Sequence, residues 1–136
     1  MREILFRGKR KDNGEWVEGY YARKGVDKDT FKHFICVMTF NVNGNTYSSM
    51  FYLTDIEVIP ETVGQYTGMT DKNGKKVFEG DIVKVENVFV RGIFAVEYSG
   101  MGACFIVSCG ESRYFLGGCN SEVIGNIHDN PELLKE

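Results

Sequence analysis

The stretch at residues 64–83, in the middle of the chain, most constrains the fold. It reads GQYTGMTDKNGKKVFEGDIV, with glycine, threonine and asparagine at short intervals. Asn73 and Gly74 lie between extended segments and favour a type I′ hairpin turn, because both residue types tolerate positive φ. Gly68 and Gly80 are expected at turns or bulges, where a Cβ atom would oppose the backbone conformation. We assign a structural role to the motif residues Gly64, Gln65, Tyr66, Gly68, Asn73, Gly74, Glu79, Gly80 and Asp81.

The same pattern occurs near the N-terminus. An aromatic residue, any residue, a glycine, four more residues and Asn-Gly follow one another at residues 6–14 and again at residues 66–74. Each copy then reaches a Glu-Gly pair. Two copies are too few for a solenoid, so we interpret them as two related β-turn-β units in one body. The alternative is a chance match, because turn chemistry alone recruits glycine and asparagine.

Three long segments together resemble one known family. They are the opening REILFRGK, the central run GQYTGMTDKNG with FEGDIV, and the close VIGNIHDNPELL. They resemble the YopX family of phage and prophage proteins, over nearly the whole chain and most weakly at residues 22–50 and 99–121. The resemblance implies a small, mostly β protein encoded by phages, without an established biochemical activity. It supplies no catalytic residues.

The composition is typical of a folded globular protein. The 136 residues are 43% hydrophobic and 13% aromatic, and sixteen glycines against two prolines favour many tight turns. We predict one domain, 1–136, with an N-terminal β subregion 1–60 and a barrel-like C-terminal subregion 61–136. No apolar run is long enough to cross a bilayer, and the first residues lack a signal peptide. We therefore expect a location in the cytoplasm of a bacterial host, with no membrane contact.

The fold class we predict is mainly β, a β-rich α+β protein made of short antiparallel strands in hairpins. Alternating apolar residues predict a strand at 81–86, and an apolar run predicts a buried strand at 34–40. Asn43-Gly44-Asn45 signals a hairpin. Residues 22–32 show no period and are expected to form a loop. The prolyl segment 60–62 is expected to follow the end of a strand and to mark a boundary between the halves.

The C-terminal part carries two further signals. Gly-Asp-Ile-Val at 80–83, followed by a second strand and a glycine-rich turn, resembles the start of an SH3-like small barrel. Pro131 to Lys135 predicts a short C-terminal helix with Asn130 as its N-cap. A helix of about one turn is unstable alone, so it requires packing of Leu133 and Leu134 on the β body.

The densest basic cluster lies in the N-terminal hairpin. Trp16 and Tyr20 share one face of the second strand, which we expect to cover the core. The cluster favours phosphate contacts, with the aromatic residues as stacking groups. Against this, the net charge of −3 would repel a polyanion, and basic residues also protect an exposed edge strand from pairing with other chains. The candidate binding residues are Arg7, Lys9, Arg10, Lys11, Trp16 and Tyr20.

The other chemistry-bearing residues form no recognisable site. The four cysteines lack paired Cys-x2-Cys spacing, so buried free thiols are expected, with no metal and no cofactor. The segment from Asp71 opens like a calcium loop, but Ile82 occupies the twelfth position, where a carboxylate is required. Glu79 and Asp81 flank Gly80, and we expect their carboxylates to accept backbone N–H bonds at a turn.

Three functions remain open. The first is a non-enzymatic phage accessory protein that binds a host or phage protein, with self-association into a homo-oligomer also open. The second is nucleic-acid binding through the basic hairpin, which the charge balance disfavours. The third is an enzyme with a site near Glu79, Asp81 and the thiols, and spacing alone assembles no nucleophile, base and orienting group there.

Overall fold

The structure, a computed structural model, describes residues 2–42, 49–118 and 120–134. Its described residues form a mainly β protein with antiparallel strands and two single-turn 3₁₀ helices, at Leu116–Gly118 and Pro131–Leu134. The strands are β1 Phe6–Arg10, β2 Trp16–Gly25, β3 Phe31–Val42, β4 Ser49–Thr70, β5 Lys76–Phe78, β6 Asp81–Glu86, β7 Arg91–Ser99, β8 Cys104–Cys109, β9 Ser112–Phe115 and β10 Ser121–Asn126.

The chain divides into two compact units. The N-terminal unit is Ile4–Gly64, and the C-terminal unit is Gln65–Glu136 together with Met1–Glu3. The long strand β4 contributes residues to both. That the two units fold as the single domain expected from the sequence stays a prediction.

The N-terminal unit is an antiparallel sheet in which β1 pairs with β2, β2 with β3, and β3 with β4, and β1 also pairs with β4. Ile35 and Val58 are fully buried in it. Two glycines, Gly8 and Gly19, allow close contact with Val58 and with the backbone of Cys36. A Cβ atom on Gly19 would lie 2.4 Å from the carbonyl oxygen of Cys36, and one on Gly8 would lie 3.0 Å from Cβ of Val58.

In the C-terminal unit a five-stranded antiparallel sheet has the order β10-β6-β7-β8-β9, and the last residues of β4 pair with β5. Strand β6 occupies the bounds predicted from its alternating pattern. Its Val83 and Val85 point into the core, and Ile82, on the other face of the strand, is also buried. The core of this unit is a cluster of buried apolar side chains: Val77, Val83, Val85, Phe94, Val96, Val107 and Leu116.

The loop predicted at residues 22–32 is wrong at both ends. Strand β2 continues to Gly25 and β3 begins at Phe31, so only residues 26–30 form the turn. The polar residues belong to the strands because the end of β2 pairs with the beginning of β3, with Arg23 opposite His33. Asp27 fixes the turn, since its Oδ1 accepts the N–H groups of Asp29 and Thr30, both at 2.9 Å.

The predicted end of a strand before Pro60 is also wrong, because β4 runs from Ser49 to Thr70 without a break. The ladder between β3 and β4 ends at Glu57, three residues before the proline. Pro60 therefore removes no N–H group from that ladder, which is the usual objection to proline in a strand. The hairpin predicted at residues 43–45 lies outside the described residues.

Asn73-Gly74 does not form the predicted type I′ turn, because only its glycine has positive φ, 82°. At Asn13-Gly14 too, only the glycine has positive φ, 73°. The central loop has three residues between Asp71 and Lys75, closed by Asp71 N–H to Lys75 C=O at 2.7 Å. The N-terminal loop has four residues and is closed by Arg10 N–H to the carbonyl oxygen of residue 15 at 2.8 Å. Longer loops need one left-handed residue rather than two.

The C-terminal helix is a single 3₁₀ turn, Pro131–Leu134, and its leucines are half-buried beside Ile93 and Phe94 of β7. The packing that its stability requires is present. Asn130 does not cap it through its side chain as predicted, because its Oδ1 accepts the N–H of Asn126 at 3.2 Å instead. The closure of the C-terminal sheet into an SH3-like barrel stays a prediction.

Candidate binding surfaces

A basic and aromatic face lies on the N-terminal unit. Strand alternation and pairing place Arg7 and Lys9 on the same side of the sheet as Trp16 and Tyr20. The guanidinium carbon of Arg7 is 4.8 Å from the Trp16 ring centroid, and the Lys9 ammonium is 5.9 Å from it. Tyr20 is 58% exposed, so the prediction that this face covers the core is wrong. The opposite face carries the buried Ile35.

The other two predicted basic residues do not join this face. Arg10 points to the opposite side of β1 and forms two hydrogen bonds to the Asp12 carboxylate, at 2.9 and 2.8 Å. The hydrogen bond from Arg10 lowers the pKa of Asp12. Lys11 pairs with Glu57 at 3.3 Å. Carboxylates therefore offset both charges, and the cluster that is continuous in sequence is divided in space.

In the C-terminal unit, the buried carboxylate of Asp71 joins the central hairpin to β10. Its Oδ1 accepts the N–H groups of Asn73 and Lys75, and its Oδ2 accepts the N–H of Val123, all at 2.9 Å. Burial alone would raise the pKa of Asp71, but the three N–H donors outweigh burial and lower it. The Asp71 carboxylate therefore fixes the backbone by accepting its N–H groups, a role that the comparison with a calcium loop did not indicate.

The carboxylates on either side of Gly80 also hold backbone, as expected. Asp81 is 1% exposed, and its Oδ2 accepts the N–H of Phe78 at 2.8 Å. Glu79 Oε1 accepts the N–H of Gln65 at 3.3 Å. Gly80 lies between them with φ of 92°, and Gly68 and Gly74 have φ of 87° and 82°, so the predicted positive φ is confirmed at all three glycines.

An exposed apolar tip joins β6 to β7, and the sequence analysis missed it. Val88 is 90% exposed and Phe89 is 92% exposed. Asn87 fixes the backbone beneath them. Its Oδ1 accepts the N–H groups of Phe89 at 2.8 Å and Val90 at 2.6 Å, and its own N–H donates to the carbonyl of Val90 at 2.9 Å. The signal was an asparagine followed by three apolar residues between two strands, which is unusual for a turn.

A cavity of about 600 Å³ lies in the C-terminal unit. Residues of β4, β7 and β8, the turn at Glu79 and the 3₁₀ helix that begins at Leu116 line it, together with Arg2. It brings Glu79 to the same cavity as the half-buried thiol of Cys104. Asp81 does not line it. Sequence reasoning could not find this cavity, because its walls come from segments far apart in the chain.

The cysteines are the other chemistry-bearing residues considered from the sequence. Cys36, Cys104 and Cys109 are free thiols, and burial raises the pKa of Cys36. Among the described residues there is no group of three or more His, Cys, Asp and Glu side chains with the geometry to hold a metal ion. In the same ranges, no helix is long and apolar enough to span a membrane.

These features define a class, namely small, mainly β proteins that present exposed apolar, basic and concave surfaces on antiparallel sheets. The chain belongs to the YopX protein family, because the sequence model of that family matches residues 5–135. No match was found among the curated proteins. Among solved structures, the chain is similar to protein EF1440 from Enterococcus faecalis, with 23% identity and a TM-score of 0.62, over 99% of this chain and 100% of that one. At this identity the likeness shows the fold alone.

Proposed function

We propose that this protein is a non-enzymatic binding module, encoded by a phage or prophage and acting in the cytoplasm of the bacterial host, whose partner is a host or phage protein. The observation that carries the proposal is the apolar tip formed by Val88 and Phe89. Single exposed apolar residues are common on protein surfaces and need no explanation. Two adjacent ones, both at least 90% exposed at the tip of a hydrogen-bonded turn, are uncommon and need an explanation.

The fixed backbone of the tip favours a specific contact. Asn87 already holds the N–H groups of Phe89 and Val90, so little conformational entropy is lost when a partner covers the tip. Aromatic anchors that enter a pocket dominate the energy of many protein interfaces. The partner surface is therefore expected to be concave and apolar.

Affinity capture from phage-infected bacteria tests the proposal. The bait is the full chain, either unchanged or carrying Val88→Ser with Phe89→Ser. Met101→Ser is the matched control, because Met101 is fully exposed on another loop of the same unit. A captured protein is then purified and its affinity measured by calorimetry. We expect the double variant to weaken binding by at least about tenfold and the control to leave it unchanged. Equal affinity for all three baits would contradict the proposal.

Nucleic-acid binding is a second candidate, favoured by the closeness of the half-buried Arg7 and Lys9 to Trp16 on the face that also carries the exposed Tyr20. Bases stack on such surface aromatics in single-strand binders. Fluorescence anisotropy with single- and double-stranded oligonucleotides at increasing salt tests it. Phosphate contacts require an affinity that falls steeply with ionic strength and is lost in Lys9→Ala with Trp16→Ala. No binding at low salt excludes it.

We further infer that the C-terminal sheet closes into an SH3-like small barrel. The support is its strand order, β10-β6-β7-β8-β9, in which four consecutive strands form a meander and the last strand returns beside the first. A 3₁₀ turn, Leu116–Gly118, precedes the returning strand. An experimental structure with an open sheet at this position would contradict the inference.

A further inference from the structure

The cavity of the C-terminal unit combines a carboxylate with two aromatic rings. Tyr98 and Phe105 both line it, and their ring centroids are 5.4 Å apart at an interplanar angle of 70°. At this distance and angle the edge of one ring contacts the face of the other, so a cation approaches the pair from the cavity and not from between the rings. A cation within about 6 Å of a ring centroid is attracted by the ring quadrupole. This geometry favours a positively charged ligand.

Glu79 supplies the negative charge at the same cavity. Its backbone N–H donates to the carbonyl of Gln65 at 2.9 Å, and its Oε1 accepts the N–H of Gln65 at 3.3 Å. Both the backbone and the side chain of Glu79 are therefore bonded to Gln65. An ionised carboxylate has about four lone-pair sites, and one backbone donor leaves capacity for a ligand. The electrostatics of the unit agree, since it carries eight basic and eleven acidic residues.

Apolar side chains complete the lining. Met69 and Leu116 lie on the same cavity as the two rings. They suit the aliphatic stem of a long cationic side chain, which buries its methylenes and keeps its charged end among polar groups. Ala103, also on the cavity, has φ of 51°, a left-handed conformation that costs a residue with a Cβ atom free energy. Such strain clusters at ligand sites.

We propose that this cavity binds an exposed lysine or arginine side chain of a partner protein. The cationic end lies against the cavity side of the Tyr98–Phe105 pair with its charge toward Glu79, and the stem covers Met69 and Leu116. Arg2, the basic residue on the cavity lining, is then an intramolecular competitor for the same negative site. The proposal rests on the binding role proposed above, and it names the chemistry of a contact separate from the Val88–Phe89 tip.

NMR titration of the isotope-labelled full chain tests the site without knowledge of the partner. The probes are the amides of N-acetyl-arginine and N-acetyl-lysine, and N-acetyl-norleucine amide is the control with a similar stem and no charge. We expect the two cationic probes to shift the amide signals of Gln65, Glu79 and Phe105 in a saturable way. The neutral probe is expected to bind at least about fivefold more weakly, the factor that corresponds to one cation–π or ionic contact.

Four variants separate this site from the tip. Glu79→Gln and Tyr98→Ala are each expected to weaken binding of the cationic probes about fivefold, while Arg2→Ala strengthens it. Phe89→Ala is the matched control, being an exposed aromatic residue of the same unit, and leaves probe binding unchanged. Amide signal dispersion checks that each variant is folded. Equal binding of charged and neutral probes, no binding, or weaker binding by Arg2→Ala would overturn the proposal.

Loss of probe binding and loss of the protein partner are separate outcomes. A chain that binds the probes in the cavity and captures its partner equally well with and without the Val88–Phe89 tip retains the inference and loses the proposed role of the tip. A chain whose partner needs the tip but which ignores the cationic probes retains the proposed function and loses the inference.

Discussion

The two Asn-Gly hairpins share a glycine pattern, but outside the Asn-Gly pairs themselves they require glycine for different physical reasons. In the N-terminal copy, Gly8 and Gly19 are buried, and a Cβ atom on either would meet a neighbouring strand. In the central copy, Gly68 and Gly74 have open space around them, and their positive φ is what requires glycine. Gly14 and Gly74 share one role, positive φ in open space, whereas the match of Gly8 with Gly68 is a match of residue type and not of role.

The hairpins also differ in how they are held. A backbone bond holds each of them, Lys72 N–H to Ser121 C=O at 2.9 Å and Lys11 N–H to Glu57 C=O at 3.0 Å. The central one is also fixed by the buried carboxylate of Asp71, which reaches Val123 on β10. The N-terminal one carries an exposed ion pair, Arg10 with Asp12. Buried charges that accept several N–H bonds contribute far more than exposed pairs. The predictions that follow test this contrast.

The largest expected effect is that of Asp71→Ala. The substitution leaves the N–H groups of Asn73, Lys75 and Val123 without their acceptor, and the central hairpin loses its side-chain link to β10. We expect a loss of about 3–4 kcal/mol in the free energy of unfolding, measured by urea denaturation. A loss as small as that of an ordinary surface substitution would show that the carboxylate does not hold the hairpin.

The same network predicts a dependence on pH. The pKa of Asp71 is lowered in the folded state, so its contribution is fully present above the ordinary aspartate pKa and is lost as pH falls through the lower folded value. Unfolding midpoints measured from pH 6 down to pH 2 should decrease below about pH 4. Asp71→Asn has no titrating group there, so its decrease should be shallower than that of the unchanged protein.

The second effect concerns the sterically required glycine of the N-terminal copy. Gly19→Ala places a Cβ atom 2.4 Å from the carbonyl oxygen of Cys36, so the backbone of a paired strand has to shift. We expect a loss of about 2–3 kcal/mol. Gly19→Asn should cost more than the alanine variant, because its side chain is larger. Should asparagine restore stability here, the requirement would be conformational and the contrast between the copies would fail.

The third effect concerns a glycine of the central copy that is required by its backbone conformation and not by steric contact. Gly74→Ala is expected to cost about 1–2 kcal/mol, because alanine at φ of 82° is strained although no atom lies within 4 Å of its Cβ. Gly74→Asn should recover part of this loss, since asparagine tolerates the left-handed region. Lys75→Ala is the exposed control and should stay within about 0.5 kcal/mol of the unchanged protein. Equal stability of all three would contradict a scaffold role for Gly74.

The local part of this structure could be predicted, and the non-local part could not. The bounds of β6 and the positive φ of Gly68 follow from patterns within a few residues. The continuation of β2 to Gly25 depends on pairing with β3, and polar composition gave no sign of it. The role of Asp71 depends on Val123, 52 residues away. The apolar tip was visible in the sequence only as an unusual turn.

The smallest expected effect belongs to the exposed ion pair of the N-terminal hairpin. Asp12 accepts two hydrogen bonds from Arg10, and they lower its pKa, yet the Asp12 side chain is exposed and that of Arg10 is partly exposed. Water and salt screen such a pair, and ordering two side chains offsets its attraction. Asp12→Ala should therefore leave the melting temperature unchanged within error at both low and high salt. If it lowered that temperature as much as Asp71→Ala does, the two hairpins would be held alike. Their difference would then lie in the glycines alone.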